Sequence, residues 1–176
     1  MPQVMPPRED ASGTAPDGLY ERYATPAFRY VRALGLREAD AEDVVAESFL
    51  RILRAQGNPP DGEFAAGWIF TVVRHTAVNF MRWRTRQEKL RDAASQEGRR
   101  NTECDPAQAV QEEEMVRALS EANEALPAEQ RHALALVGVA GLSYREAAEV
   151  EGITEAALTS RLFQARKAIR ERLGED

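Results

Sequence analysis

Between residues 68 and 91, Arg74, Arg82, Arg84, Arg86, Lys89 and Arg91 stand against a single anion, Glu88, for a local charge of +5. The same stretch and its approach carry the rings of Phe64, Trp68, Phe70, Phe80 and Trp83. Cations follow a phosphate backbone and aromatic planes stack on unpaired bases, so this combination suits single-strand binding. The plainer reading is also open: the rings are core, as fits Phe80, and the arginines a solvated face. A second constellation lies further on. In Ser143-Tyr144-Arg145-Glu146 the hydroxyl can accept the orphan amide of Glu146 while the carboxylate returns the bond, a capping box. Ala148, Gly152 and Leu158 then occupy the three positions that a helix-turn-helix constrains: a small residue at the crossing, a glycine in the turn, an aliphatic seal. Thr154 caps the next helix, whose outer face offers Thr159, Ser160, Arg161, Gln164 and Lys167 to bases and phosphates. Glu151 and Glu155 sit near that same end, where a carboxylate repels phosphate, and an ordinary helix hairpin is the alternative.

Other chemistries lack their residues. The one cysteine, Cys104, has no intramolecular disulfide partner, and His75 and His132 are too few for a Cys/His zinc set. No glycine loop cradles a phosphate, so no catalytic residue, metal or cofactor is expected. No apolar run approaches the roughly 20 residues that span a bilayer. Residues 1–18 contain Pro2, Pro6, Pro7 and Pro16 without an apolar segment, and are predicted to be a disordered tail rather than a signal peptide. The expected location is cytoplasmic, without membrane insertion.

The net charge of −6 excludes a uniformly basic coat but not a basic face. Residues 19–91 carry twelve cations against nine anions, whereas residues 92–115 carry two against seven. The positive charge is therefore gathered on one element.

The elements that must position these groups are helical throughout, with no convincing period of two. A first helix is predicted over 19–34, interrupted or restarted at Pro26. A second follows Asp40 to about residue 55, with Ala41, Val44, Val45, Phe49, Ile52 and Leu53 recurring at three and four. Residues 57–62, Gly-Asn-Pro-Pro-Asp-Gly, form a loop. A third helix spans about 64–86, with Ala65, Ile69, Val72, Val73, Phe80 and Trp83 as its buried stripe. Residues 92–105 are polar and aperiodic and read as a linker. Helices resume after Pro106, one marked by Val110, Met115, Leu119, Ala122 and Leu126, another from Pro127 to about residue 139, then the two of the helix-turn-helix. The fold class is all-α: two small helical domains, 19–91 and 106–176, joined by a flexible linker.

With those residues in place, the chain resembles the sigma-70 family of bacterial RNA polymerase sigma factors, in particular its extracytoplasmic-function class. Leu19-Tyr20-Glu21-Arg22-Tyr23 with Pro26 resembles the opening of sigma region 2, and Asp40-Ala41-Glu42-Asp43-Val44-Val45 through Phe49-Leu50-Arg51 resembles its signature helix. Trp68-Ile69 through Val73-Arg74-His75, ending in the arginines to Arg86, resembles its promoter-melting helix. Leu126-Pro127-Ala128-Glu129-Gln130-Arg131, Gly141 through Glu149, and Ser160 through Lys167 are similar to region 4. Asn79 stands where that family usually has Asp, Ala156-Ala157-Leu158 replaces Gly-Thr-Val, Thr159 stands where Lys is common, and Glu151 replaces an apolar residue.

The resemblance implies a protein that binds core RNA polymerase, directs it to promoter DNA and helps open the duplex. It implies docking on the β′ coiled coil through Asp40, Glu42, Asp43, Glu47, Arg51 and Arg54. It implies −10 contacts from Asn58, Asp61, Phe64, Trp68, Arg74, His75, Asn79, Arg82, Arg84 and Arg86, which would capture a flipped base. It implies −35 contacts from Ser143, Tyr144, Arg145, Thr154, Thr159, Ser160, Arg161, Gln164 and Lys167, with the second domain seated on the β flap. A cognate anti-sigma factor is the further implied partner. Two rival classes are a mimic that sequesters an anti-sigma factor and a plain dimeric helix-turn-helix regulator.

Overall fold

The computed structural model describes residues 16–55, 65–92 and 110–174, and all the regular elements among them are helical. Their order is α1 (Pro16–Ala33), α2 (Glu38–Arg54), α3 (Ala65–Asp92), α4 (Val110–Glu124), α5 (Ala128–Leu134), a π-helical turn (Ala135–Val139), α6 (Tyr144–Glu151) and α7 (Glu155–Leu173). The tail expected over 1–18 falls almost wholly, and the loop over 57–62 and the linker over 92–105 essentially, outside the described residues.

Helices α1, α2 and α3 pack on one another. The expected break at Pro26 does not occur, and α1 runs unbroken through it. A mid-helix proline costs one backbone hydrogen bond. The next turn offsets it, because Ala27, Tyr30 and Val31 are all fully buried. In α2 the stripe Ala41, Val44, Val45, Phe49 and Ile52 is buried as its spacing predicts, and the buried hydroxyl of Ser48 is satisfied by the Val44 carbonyl at 2.6 Å. Leu53 departs from the expected set and is exposed, as is Leu50.

Helix α3 is described from Ala65, the predicted start Phe64 lying outside the described residues, and extends six residues past its predicted end. At 28 residues it is about 42 Å long, against about 26 Å for α2. Its first half buries Ala65, Ile69, Phe70, Val73 and Ala77. Its second half runs beyond its neighbours, which corrects the placement of Trp83: that ring is 57% exposed rather than part of the buried stripe.

In the second half of the chain, α7 packs against α4, α5 and α6. The single helix predicted from Pro127 to about residue 139 is an α-helix that widens into a π turn, with the Ala140 amide bonded to the Ala135 carbonyl at 2.9 Å. The Arg131 guanidinium donates to the carbonyls of Asn123, Glu124 and Leu126. It thereby closes the C-terminal end of α4, whose last carbonyls have no partner within the helix.

The two halves also pack against each other, α3 on α6 and α1 on the π turn, and one hydrophobic cluster runs through both. Tyr30 and Phe70 from the first half meet Leu136 and His132 from the second within it, with the Tyr30 and Phe70 rings edge-on at 5.7 Å.

Candidate nucleic-acid interface

Local sequence builds the helix-turn-helix closely. The Ser143 hydroxyl accepts from the Glu146 amide at 3.3 Å, and the Ser143 amide donates to the Glu146 carboxylate at 2.8 Å. Both bonds of the capping box are therefore made. Helix α6 ends on Gly152 at φ +66, left-handed backbone that a residue without Cβ adopts freely. The Gly152 amide returns to the Ala148 and Glu149 carbonyls, and Thr154 then accepts from the Ala157 amide at 3.2 Å to start α7. Ala148 and Leu158 are buried at the crossing. The three constrained positions thus do what their residue types predict.

The outer face of α7 carries Thr159, Ser160, Gln164 and Lys167, all exposed. The Thr159 hydroxyl is turned back onto the Glu155 carbonyl, Gln164 accepts from Gln130 at 3.3 Å, and Lys167 lies 3.6 Å from Glu171. Arg161 differs from these. It is three-quarters buried and paired, at 3.0 Å to Glu129 and 3.2 Å to Glu151. Ser143, Tyr144 and Arg145 lie on the exposed start of α6, Arg145 beside Glu149 at 3.6 Å. Phe163, 62% exposed, shares the α7 surface.

On α3, His75, Asn79, Arg82 and Arg86 are exposed and Trp68 is half-buried. The Phe80 and Trp83 rings lie 5.9 Å apart, tilted at 46°, beside the exposed arginines. Arg84 points the other way, to Asp40 of α2 and Glu88 of its own helix, both at 3.0 Å. Arg74 donates from Nε to Glu151 of α6 at 2.8 Å. Asn58, Asp61 and Phe64 lie outside the described residues. The sequence-predicted residues of α3 and α7 therefore form two separate surfaces, and Arg74 and Arg161 leave both for a common carboxylate.

The surface of α2 presents Glu42, Asp43 and Arg54 to solvent, with Glu47 holding Arg51 at 2.8 Å one turn on. Sequence reasoning missed the exposure of Leu50 and Leu53 among these charges, 44% and 55%. For Leu50 the signal was present, since it falls off the stripe of Val45, Phe49 and Ile52; Leu53 lies four residues after Phe49, and its spacing placed it on the stripe. Sequence reasoning also missed Tyr30 and His132. The Tyr30 hydroxyl lies 2.8 Å from His132 Nδ1, and burial pushes the phenol's pKa up. Burial, and then the charges of Arg74 and Arg131, hold His132 down at about 4, so the ring is neutral and shares a hydrogen bond with the hydroxyl.

Comparison with known proteins agrees with this geometry. The family profile described as sigma-70 region 2 matches residues 19–87, and that of sigma-70 region 4 matches residues 116–169. The chain is 32% identical over 151 residues to the ECF RNA polymerase sigma factor EcfG of Rhodopseudomonas palustris, covering 83% of this chain and 78% of that one. This chain belongs to the ECF class of RNA polymerase sigma factors. The sigma factor is also 28% identical over 160 residues to the ECF sigma factor SigE of Mycolicibacterium smegmatis, covering 89% of this chain and 61% of that longer protein's length. Its fold is similar to that of the sigma factor RpoE in complex with the anti-sigma factor NepR from Bartonella quintana, with a TM-score of 0.66 and 27% identity over 87% of this chain and 93% of that one. Among the described residues, no helix of the sigma factor is long and apolar enough to cross a membrane, and no cluster of three or more His, Cys, Asp or Glu could hold a metal ion.

Proposed function

We propose that this sigma factor binds core RNA polymerase, directs it to −35 and −10 promoter elements, and promotes melting of the duplex. The observation that carries the reading is the presence, in one chain, of a fully formed helix-turn-helix and a separate basic helix with two neighbouring aromatic rings toward its exposed end. The first presents donors suited to a major groove, the second cations and planes suited to an unpaired strand.

Residues 19–91 would form the polymerase-binding and −10 unit and residues 106–176 the −35 unit. The face of α2 with Asp40, Glu42, Asp43, Glu47, Arg51 and Arg54 would dock on the β′ coiled coil, and its Leu50–Leu53 strip supplies the apolar contact such docking needs. Trp68, His75, Asn79, Arg82 and Arg86, with Arg74 and Arg84 once released, would meet the opened −10 strand, together with Asn58, Asp61 and Phe64. Helix α7 would enter the −35 major groove with the second unit on the β flap. The sigma factor would perform no bond chemistry of its own, act in the cytoplasm, and be held in check by an anti-sigma factor, as the partner of the Bartonella protein suggests.

The test is dependence on polymerase. With a net charge of −6, the free chain is expected to hold promoter duplex poorly at physiological salt, and core polymerase to rescue it. Tight, sequence-specific binding by the free chain would instead favour a simple helix-turn-helix regulator.

A further inference from the structure

The side of α7 that would meet the groove is short of charge where bases are read. From Ala156 to Gln164 the only charged residue is Arg161, and its guanidinium is held by Glu129 at 3.0 Å and Glu151 at 3.2 Å. The exposed cations of the helix, Arg166, Lys167, Arg170 and Arg172, all come later. An arginine fork pairs with guanine because that base shows two acceptors, O6 and N7, in the major groove. The start of α7, the end that a helix-turn-helix inserts, offers no unpaired fork for it.

What this stretch does present is neutral. Opposite the buried Leu158, Leu162 and Ala165, the exposed Ser160, Phe163 and Gln164 are neighbours at three- and four-residue spacing. Phe163, 62% exposed, sets an apolar plane beside the amide of Gln164. That amide is already ordered. Gln130, half-buried on α5, donates from Nε2 to Gln164 Oε1 at 3.3 Å. The bond takes one lone pair of Oε1 and leaves the other, together with the two Nε2 hydrogens. Gln164 thus keeps an acceptor and a donor side by side. Adenine shows the complementary pair, the N6 donor and the N7 acceptor. Guanine does not, because its O6 would face Oε1 with no hydrogen between them.

We infer that Gln164 is a specificity residue that selects an adenine in the −35 element, with Gln130 as its positioning residue. The inference rests on the proposed entry of α7 into the −35 groove and adds the base that is chosen there. Gln130 acts before the DNA arrives. A glutamine side chain loses rotamer freedom when it binds, and a bond that fixes it beforehand removes part of that cost. The same bond sets which way the amide faces, so donor and acceptor meet the base in a fixed order.

The test uses holoenzyme assembled from core RNA polymerase and the full chain. Barcoded templates randomised across the −35 and −10 blocks are transcribed, and the preferred sequences are read from the barcodes of the transcripts. The parent should favour adenine over guanine about tenfold at one position of the −35 block. Gln164→Ala should flatten the preference at that position alone, and Gln164→Arg should move it to guanine. Gln130→Ala should lower the adenine-to-guanine ratio there to about threefold, the cost of ordering the amide on binding, and leave the other positions as they are. A merely structural role for Gln130 would lower transcription from all templates together and keep the ratio. Unchanged −10 preferences show that each variant is folded and engaged with polymerase. If the position altered by Gln164→Ala is not one where the parent selects adenine, or if both Gln164 variants keep every −35 preference, the inference is overturned. An unchanged ratio in Gln130→Ala overturns the role of Gln130. The two failures are distinct: a parent that yields no sigma-dependent transcripts overturns the function and the inference with it, whereas a −35 block selected by the parent but indifferent to Gln164 overturns the inference alone.

Discussion

Phe49 shows how one side chain carries the first half of the fold. It is buried on the α2 stripe, and the Tyr20 ring meets it edge-on at 5.0 Å, tying α1 to α2. Phe49→Ala should lower unfolding free energy by about 3–5 kcal/mol, read as a shift of the urea midpoint. Ser143 is the corresponding single residue of the second half. Ser143→Ala removes the hydroxyl half of the capping box and should cost about 1 kcal/mol with the fold retained, measured in the same way. His132 gives a residue-level prediction in pH. Its folded pKa, about 4, lies below the 6.5 of an exposed imidazole, so between those values the unfolded chain binds the extra proton. Stability tied to His132 is therefore complete above about pH 6.5 and declines as pH falls toward 4, where it levels. Imidazole proton resonances followed against pH should place the His132 midpoint near 4. These three residues were not equally legible in sequence. The roles of Phe49 and Ser143 follow from local spacing, whereas Tyr30 and His132 are 102 residues apart and nothing in either neighbourhood points to the other.

Among the elements, periodicity set out the helices well wherever burial decided their faces. It located α2 and both helices of the helix-turn-helix, because their apolar repeats and caps are local signals. It failed where a neighbour decides. The run of α1 through Pro26 depends on what Ala27, Tyr30 and Val31 pack against, and the exposure of Trp83 depends on where α1 and α2 stop. The π turn at Ala135–Val139 has no apolar signature of its own, since one extra residue in a turn leaves the pattern on either side intact. The candidate site divides in the same way. The exposed donors of α7 and the arginines at the end of α3 were legible, but the pairing of Arg74 and Arg161 was not, because it exists only between elements. Helix α2 carries the prediction at this scale. Asp43→Arg and Arg51→Glu alter exposed charges and should leave the unfolding free energy within about 0.5 kcal/mol of the parent. Each should weaken retention of core polymerase in pull-down, and unchanged retention by both would remove α2 as the docking surface.

At the scale of the whole molecule, the two halves pack on each other. They share one core, and Arg74 of α3 pairs with Glu151 of α6 across them. In the proposed function, α3 would meet an opened strand and α7 a groove some distance upstream. The acidic total then costs nothing, because affinity comes from the polymerase and sequence choice from two small surfaces. This account stands or falls on transcription. Core RNA polymerase supplied with the purified sigma factor and a library of bacterial promoter fragments should yield transcripts whose starts share a bipartite sequence upstream, one block near −35 and one near −10. Core polymerase alone should not yield them. Arg161→Ala should reduce those transcripts through the −35 block, either relaxing preference at one base pair or weakening all sequences equally, according to whether it meets a base or a phosphate. Transcripts identical with and without the sigma factor would contradict the account.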